Sequence, residues 1–377
     1  MTPRVFFYVQ HLLGIGHLRR AAILARALAA GGFDVLMVSG GAPLALDLGR
    51  ARLHQLPPVR ARNENLRELV RLDGSPIDQA FRAARAQELV SLLHAEAPSI
   101  VITEQFPFGR TQLRFELIPL IEAARTLQRR PLIVSSVRDV VRRSLSPQRV
   151  AETLEILAAF DLVLVHADPR IADFGASFAA WDRIASRAIY TGYVAPPEQG
   201  VESSDAGKDE VIVSVGGGAV GAPLLQAALA ARRQSALADR RWRLLIGANL
   251  AATERVALGQ QDGVAIEPAR ADFPTLLANA ALSISQAGYN TVVETLRFAD
   301  RALYVPFSTE RETEQSDRAR LLAERGMATV VPADSLTAGS LSAGIARALA
   351  GPSLRSFPRC DIGGAAATVD LLRARVG

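Results

Sequence analysis

The sequence predicts an α/β chain of two doubly wound, Rossmann-like domains in tandem, facing each other across a cleft with ligands beyond the carboxyl ends of the strands. Three observations predict it. Short apolar runs, each followed by a small-residue turn and then helical spacing, begin at Arg4, and the same plan restarts at Glu210. Between them Ala195 to Asp209 is rich in Pro, Gly, Ser and charge and has no periodicity, which is the composition of a linker. The 377 residues are 49% apolar but 6% aromatic, a balance that suits helices packed on parallel strands better than a β-sandwich.

The first strand, Val5 to Val9, runs into Gly14-Ile15-Gly16-His17, and a helix follows with Ala21, Ala22, Leu24, Ala25 and Leu28 on its buried face. Gly31-Gly32 ends that helix, and Phe33 to Val38 is the second strand. Gly14-x-Gly16 is part of a dinucleotide fingerprint, but the third glycine is missing, so it does not read as an NAD site. Residues 57–76 read as a loop, and Ile77 to Ala97 as a long helix. Strand Ser99 to Thr103 leads into Glu104-Gln105-Phe106-Pro107-Phe108-Gly109-Arg110. A helix carrying Leu113, Leu117, Leu120 and Ile121 follows. Then come strand Pro131 to Val134, helix Pro147 to Phe160, strand Leu162 to Val165 and strand Ala188 to Tyr190.

The second half opens with strand Glu210 to Val215 and the turn Gly216 to Gly221. It continues with helix Leu224 to Arg232, strand Arg243 to Ile246, a short strand near Val264 and helix Phe273 to Ala278. Strand Leu282 to Ile284 breaks at Gln286-Ala287-Gly288, and helical spacing resumes at Val292, Val293 and Leu296. Strand Ala302 to Pro306, helix Glu314 to Arg325 and strand Ala328 to Val331 complete the sheet, and helices near 340–350 and 364–375 form the tail. The expected domains are 1–195, a linker at 196–209, 210–350, and a helical tail at 351–377 able to pack back on the first domain.

Charge narrows the partners. The formal charge is +5, and nearly all the cations are arginines, occurring singly or in pairs without a basic run or interleaved aromatics. That pattern argues against nucleic acid and suits an anionic small molecule or a membrane surface at least as well. Cys360 is the one cysteine, so no disulfide framework or cysteine metal site arises. With no apolar run of membrane-spanning length and no signal-peptide layout at the start, the expectation is a cytoplasmic protein, peripheral to a membrane at most.

Strand, small-residue turn, helix: this order points backbone N–H groups and a helix dipole at an anion. Gly288 lets a phosphate approach closely, Thr291 offers a hydroxyl, and Glu294 stands one turn on to accept from ribose hydroxyls. An ordinary strand-to-helix turn needs the same glycine, so both readings stand on the stretch alone. His17 lies at a helix start after a strand. A helix N-terminus disfavours the imidazolium, which leaves a neutral base for a hydroxyl proton; a polar cap without chemistry is the alternative. Glu104 and Asp139, also at strand ends, are candidate bases too. His166-Ala167-Asp168 reads as a structural strand end.

The second half resembles the donor domain of the GT-B glycosyltransferases, closest to family 28, which includes the peptidoglycan N-acetylglucosaminyl transferase and the plant galactolipid synthase. The resemblance rests on Ser285-Gln286-Ala287-Gly288-Tyr289-Asn290-Thr291-Val292-Val293-Glu294, on Val305-Pro306-Phe307, and on Arg311-Glu312-Thr313-Glu314-Gln315, with their spacing. It implies that Gln286, Ala287, Gly288, Asn290 and Thr291, with Gly16, Gly217 and Gly218, hold a donor diphosphate. It implies ribose on Glu294, the donor sugar on Glu314 and Gln315, the nucleobase near Arg270 and Phe273, and His17 as base. The acceptor would meet the first domain, near Glu104, Phe106, Arg138 and Asp139, with Arg142 and Arg143 as further cations. Glu314-Gln315 replaces the two amides common in the family and is similar to the plant-type glucosyltransferase signature, which leaves the sugar open. The Glu104 to Arg110 segment maps onto none of the better-known members and marks a subgroup of its own.

The function implied is an inverting, metal-independent transfer of a sugar from a nucleotide-sugar, UDP-linked by preference, to an acceptor hydroxyl on a small molecule, glycan or lipid. No cofactor is expected, and the absence of Asp-x-Asp sets aside a metal-bound diphosphate. A UDP-sugar epimerase of the same fold and a non-catalytic nucleotide-sugar binder are the alternatives.

Overall fold

The computed structural model describes every residue except 1, 13, 64–67, 142–145, 197–200, 217–220, 248, 249, 251, 260, 310–312 and 377. It divides into two compact units. The first is Met1–Pro169, Asp173–Ala195 and Asp361–Gly377; the second is Arg170–Ala172 and Pro196–Cys360.

In chain order the first unit contains β1 (Arg4–Val9), α1 (Gly16–Ala30), β2 (Asp34–Ser39), β3 (Arg52–Gln55), β4 (Val59–Ala61), β5 (Leu69–Arg71), α2 (Gln79–Glu96) and β6 (Ile100–Glu104). It continues with α3 (Arg114–Thr126), β7 (Leu132–Val137), α4 (Pro147–Leu157), β8 (Leu162–Val165) and β9 (Ala188–Tyr190). The second unit contains β10 (Val211–Ser214), α5 (Ala222–Arg232), β11 (Trp242–Ile246), α6 (Ala252–Ala257), β12 (Val264–Pro268), α7 (Phe273–Asn279) and β13 (Leu282–Ser285). After it come α8 (Tyr289–Phe298), β14 (Ala302–Tyr304), α9 (Glu314–Glu324), β15 (Thr329–Val330) and α10 (Ala338–Ala350). The last helix, α11 (Gly364–Val376), returns to the first unit.

Each unit is organised by one parallel sheet. The first has strand order β3-β2-β1-β6-β7-β8-β9 and the second β12-β11-β10-β13-β14-β15. Strands such as β1, buried from Val5 to Val9, read as continuous apolar runs because helices cover both faces of such sheets. In both sheets the winding reverses beside the first strand, between β1 and β6 and between β10 and β13. The loops leaving those strands diverge there and open a crevice at the carboxyl edge. Local chemistry starts the helices: the Asp78 side chain accepts from the Phe81 N–H at 2.7 Å to cap α2, and Thr337 and Ser340 form a capping box on α10.

Under β1 the first unit buries a polar cluster. The Arg85 guanidinium meets both oxygens of Glu116 at 2.7 and 2.8 Å, and the Tyr8 hydroxyl donates to the same carboxylate. All three side chains are fully buried. Removing one partner from such a set leaves a buried charge uncompensated, which explains why the cluster is complete.

The structure revises three expectations. Residues 57–76 contain β4 and β5, an antiparallel pair, where a loop was expected; three-residue strands are too short to display a period of two. β3 also went unforeseen, because at this sheet edge Arg52 and Leu53 both lie exposed and give no alternation. Residues 201–209, expected as linker, are tied to the second unit: Asn279 Nδ2 donates to the Ser204 and Ala206 carbonyls at 2.8 and 2.9 Å. Among the described residues no helix is long and apolar enough to cross a membrane.

The tail docks by close packing. Val369 and Leu372 of α11 join the core cluster that holds Leu18, Ala21, Leu24 and Leu28 of α1. A Cβ on Gly31 would lie 2.4 Å from Val369 Cγ1, so only glycine lets the two helices approach there. Leu372→Ala is expected to cost about 2–4 kcal/mol, read as a lower urea midpoint with an unchanged slope.

Candidate functional site

The crevice of the first unit gathers charge. Because β1 and β6 pair in register (Tyr8 opposite Thr103), the turn that carries His17 and the end of β6 that carries Glu104 lie side by side. His17 Nδ1 stands 2.7 Å from Glu104 Oε1. Arg20, one helical turn past His17, donates from its guanidinium to the same oxygen. Glu104 and Arg20 are fully buried, while the His17 side chain keeps 14% of its surface exposed.

Burial is the main cause that lowers the His17 pKa well below that of a free imidazole; the charges of Arg110 and Arg138 act the same way and outweigh Glu104. Burial also pushes the Glu104 carboxyl up, but the facing His17, Arg20 and Arg110 overcome it and hold the carboxyl well below the usual range. Since the imidazole is itself held neutral, the two guanidiniums sustain that effect. An ionised carboxylate can only accept, so Nδ1 carries the proton and Nε2 keeps its lone pair. The result is a neutral imidazole with a fixed tautomer and an available basic nitrogen.

The segment after β6 is rigidly anchored. The Phe106 carbonyl accepts from Thr103 Oγ1 at 3.0 Å and Ser135 Oγ at 2.7 Å, and the Phe106 ring packs 6.5 Å from that of Phe160. Phe108 stacks edge-on with Phe174 and Phe178 at 5.3 and 5.1 Å. Arg110 then donates from Nε to the Gln10 carbonyl at 2.9 Å and ties the segment back to the end of β1.

These placements bear on four acceptor-side expectations. Phe106 is fully buried, so its ring serves the core. Glu104 lies beneath His17 and orients it. Asp139 is fully buried, and one of its oxygens accepts from the Val140 N–H at 3.0 Å, so it is not poised as a base. Arg138 acts on the site through its charge on His17. Arg142 and Arg143 lie outside the described residues, as do Gly217 and Gly218. His166 is a structural strand end: Ser136 Oγ lies 2.8 Å from its Nε2 and Thr191 Oγ1 2.8 Å from its Nδ1, and burial again lowers its pKa.

The second unit repeats the arrangement at its own reversal of winding. β10 and β13 end side by side, with Ser214 opposite Ser285, and the Gln286 N–H donates to the Ser214 carbonyl at 3.3 Å. Gly216 follows β10 at φ +65°, a conformation that favours glycine. Gly288 precedes α8 at φ −63°, where any residue is allowed, so its value is space. Among the described residues, a Cβ placed on either glycine would meet nothing nearer than Thr291 Oγ1 at 3.9 Å. Gly216 and Gly288 therefore both lie beside the Thr291 hydroxyl, at the N-terminus of α8. Asn290 and Thr291 lie in the first turn of α8 and Glu294 in its second, half-buried. Gly16 opens α1 in the first unit, beside His17.

Gln315 Oε1 accepts from the Phe307 N–H at 3.1 Å, so its amide is already oriented with the NH₂ as its remaining donor. Glu314 starts α9, while residues 310–312 lie outside the described residues. Arg270 departs from expectation. Its guanidinium is engaged by Asp272 at 2.8 and 2.6 Å and by Glu267 at 3.4 Å, and is not turned toward a base. Phe273 packs on the core of Ile212, Leu245, Leu276 and Ala280.

Sequence reasoning gave no role to Arg20 or Arg318. Arg318 is buried and donates from Nη1 to the Ala287 carbonyl at 2.8 Å. Both follow a singled-out residue by three positions on a helix, His17 and Gln315, and that spacing was the available signal.

Residues 212–359 match the glycosyltransferase family 28 C-terminal domain. Over 71 residues the chain is 41% identical to a UDP-N-acetylglucosamine–N-acetylmuramyl-(pentapeptide) pyrophosphoryl-undecaprenol N-acetylglucosamine transferase of Ralstonia nicotianae. That match spans 19% of this chain and 20% of the relative, about a fifth of its length. Solved structures match over nearly the whole chain. The calicheamicin glycosyltransferase CalG4 has TM-score 0.66 at 18% identity, covering 100% of this chain and 99% of that one. Acinetobacter baumannii MurG has 0.63 at 16%, covering 99% of each. Spinosyn rhamnosyltransferase SpnG complexed with thymidine diphosphate has 0.61 at 18%, covering 98% of this chain and 95% of that one. The chain has the GT-B fold.

The buried imidazoles set a pH dependence for stability. Because His17 and His166 have folded-state pKa values below the ordinary imidazole value of about 6.5, the unfolded chain binds more protons below that pH. Their contribution is present above about pH 6.5 and is lost as pH falls, at up to about 1.4 kcal/mol per pH unit for each. Urea unfolding at stepped pH between 5 and 7.5 should show stability rising with pH, and His166→Gln should flatten the rise.

Proposed function

We propose that this chain, a family 28-like protein of GT-B fold, is a glycosyltransferase that moves a sugar from a nucleoside-diphosphate sugar to an acceptor hydroxyl. The observation that carries the reading is the neutral His17, fixed by a buried Glu104 in one unit of a fold whose other unit sets Gly216 and Gly288 beside the helix start that carries Thr291. Nε2 of His17 takes the proton of the acceptor hydroxyl, its oxygen attacks the anomeric carbon, and the bond to the diphosphate breaks. One displacement inverts the anomeric centre. Glu104 stabilises the imidazolium that forms, and Arg20 keeps Glu104 ionised.

The leaving diphosphate gains charge, which in this reading the amides and dipole at the start of α8, the Gly216 backbone and Thr291 meet. The reading is of a metal-independent transfer, with those groups supplying the counter-charge. Glu294 is the residue for the ribose, and Glu314 with Gln315 for the donor sugar. UDP is the first nucleotide to test, given the name of the Ralstonia relative, with dTDP next, given the ligand of SpnG. The acceptor is a hydroxyl of a small molecule, a glycan or a lipid, and a lipid acceptor would bring contact with a membrane surface.

A thermal-shift panel of UDP-, dTDP- and GDP-sugars tests the donor site, since a ligand that binds the folded state raises the melting temperature. No shift with any of them would sink the reading. With the active donor in hand, His17→Ala should lower kcat by about 10²–10⁴ while the nucleotide still shifts the melting temperature. Glu104→Gln should cost less than His17→Ala, because the base survives without its fixed tautomer. The acid limb of kcat/KM should fall below pH 6.5, the direction in which burial has moved His17.

A further inference from the structure

We propose that Arg318 is the positioning residue of the donor cradle, an inference that rests on the glycosyltransferase reading of the second unit. Arg318 lies on α9, a different helix from the one whose N-terminus faces the anion, and it is 2% exposed. A guanidinium this deeply buried is costly to desolvate and is retained where fixed partners hold it. Two partners lie where the turn after β13 passes into α8. Nη1 donates to the Ala287 carbonyl at 2.8 Å, and the guanidinium carbon lies 5.9 Å from the centre of the Tyr289 ring.

The bond to Ala287 has a specific mechanical meaning. Ala287 and Gly288 share one planar trans peptide, in which C=O and N–H point in opposite directions. Fixing the carbonyl on Arg318 therefore fixes the Gly288 N–H to point away from α9. The contact with Tyr289 fixes the next residue, the first of α8. Arg318 thus governs the backbone at the point where the turn becomes a helix, without itself reaching the ligand. The planar fork of arginine can donate in its plane and stack by its face at once, which lysine cannot.

The same helix grips the neighbouring loop. Gln315, three residues earlier, holds the Phe307 N–H after β14. One rigid element therefore sets both the sugar end and the diphosphate end of the donor site, and Arg318 is its link to the diphosphate end.

The test compares a nucleoside diphosphate with its nucleoside. UDP, dTDP and GDP are titrated in turn into the wild-type full chain by calorimetry, and the nucleoside of the one that binds is measured by ligand-observed NMR. Arg318→Met and Arg318→Lys should each weaken the diphosphate by about ten- to a hundredfold, with nucleoside affinity and circular dichroism unchanged. Tyr289→Leu provides a second variant, needed where Arg318→Met fails to fold, and should weaken the diphosphate by a smaller factor with the nucleoside again unchanged. Equal losses for nucleoside and diphosphate would assign Arg318 a general structural role and overturn the proposal, as would unchanged diphosphate binding or full rescue by Arg318→Lys. A wild-type chain that binds none of the three nucleotides would overturn the donor-site reading itself, and this inference with it.

Discussion

Glu104 has no exposed surface, yet it holds a charge, and the first unit is arranged around keeping it there. A lone carboxylate in such a position would take up a proton. Arg20 prevents that from one side and Arg110 from further along the segment that β6 feeds. The ionised carboxylate in turn fixes the tautomer of His17. Three elements must therefore end at the same point: α1 begins there, β6 stops there, and the segment through Phe106 and Phe108 turns there under its aromatic anchors. The reversal of winding between β1 and β6 is the feature of the sheet that makes this convergence available.

In the second unit the proposed site also meets negative charge, and the groups at hand there are backbone amides, a helix start and the Thr291 hydroxyl. Glycines and a helix start dominate there, whereas the first unit uses histidine, glutamate and arginine. The two chemistries suit the proposed reaction, in which one partner loses a proton and the other departs with negative charge.

Much of the fold was legible in the sequence, because parallel strands buried on both faces appear as apolar runs and their helices as periodic stretches. β1, β10 and β13 were readable for that reason. The hairpin of β4 and β5 was not, since strands of three residues carry no period, and neither was edge strand β3. At the site, His17 and the turn from Gln286 to Gly288 could be singled out from their position after strands. The relation of His17 to Glu104 could not, because 87 residues separate them and only the pairing of β1 with β6 brings them together. The roles of individual glycines were also hidden. Gly216 needs its positive φ, Gly288 needs only its lack of a side chain, and sequence shows the same letter for both. Arg270 shows the converse: its position suggested a ligand contact, and a carboxylate two residues away occupies it.

The return of α11 to the first unit has a consequence for how the chain comes to be folded. Residues 361–376 follow all of the second unit, so they leave the ribosome after it, yet Val369 and Leu372 belong to the core beneath α1. The first half to be synthesised is therefore the last to be finished. Until α11 emerges, the surface beside Gly31 that Val369 covers stays open, and apolar surface exposed in that interval favours association with neighbouring chains.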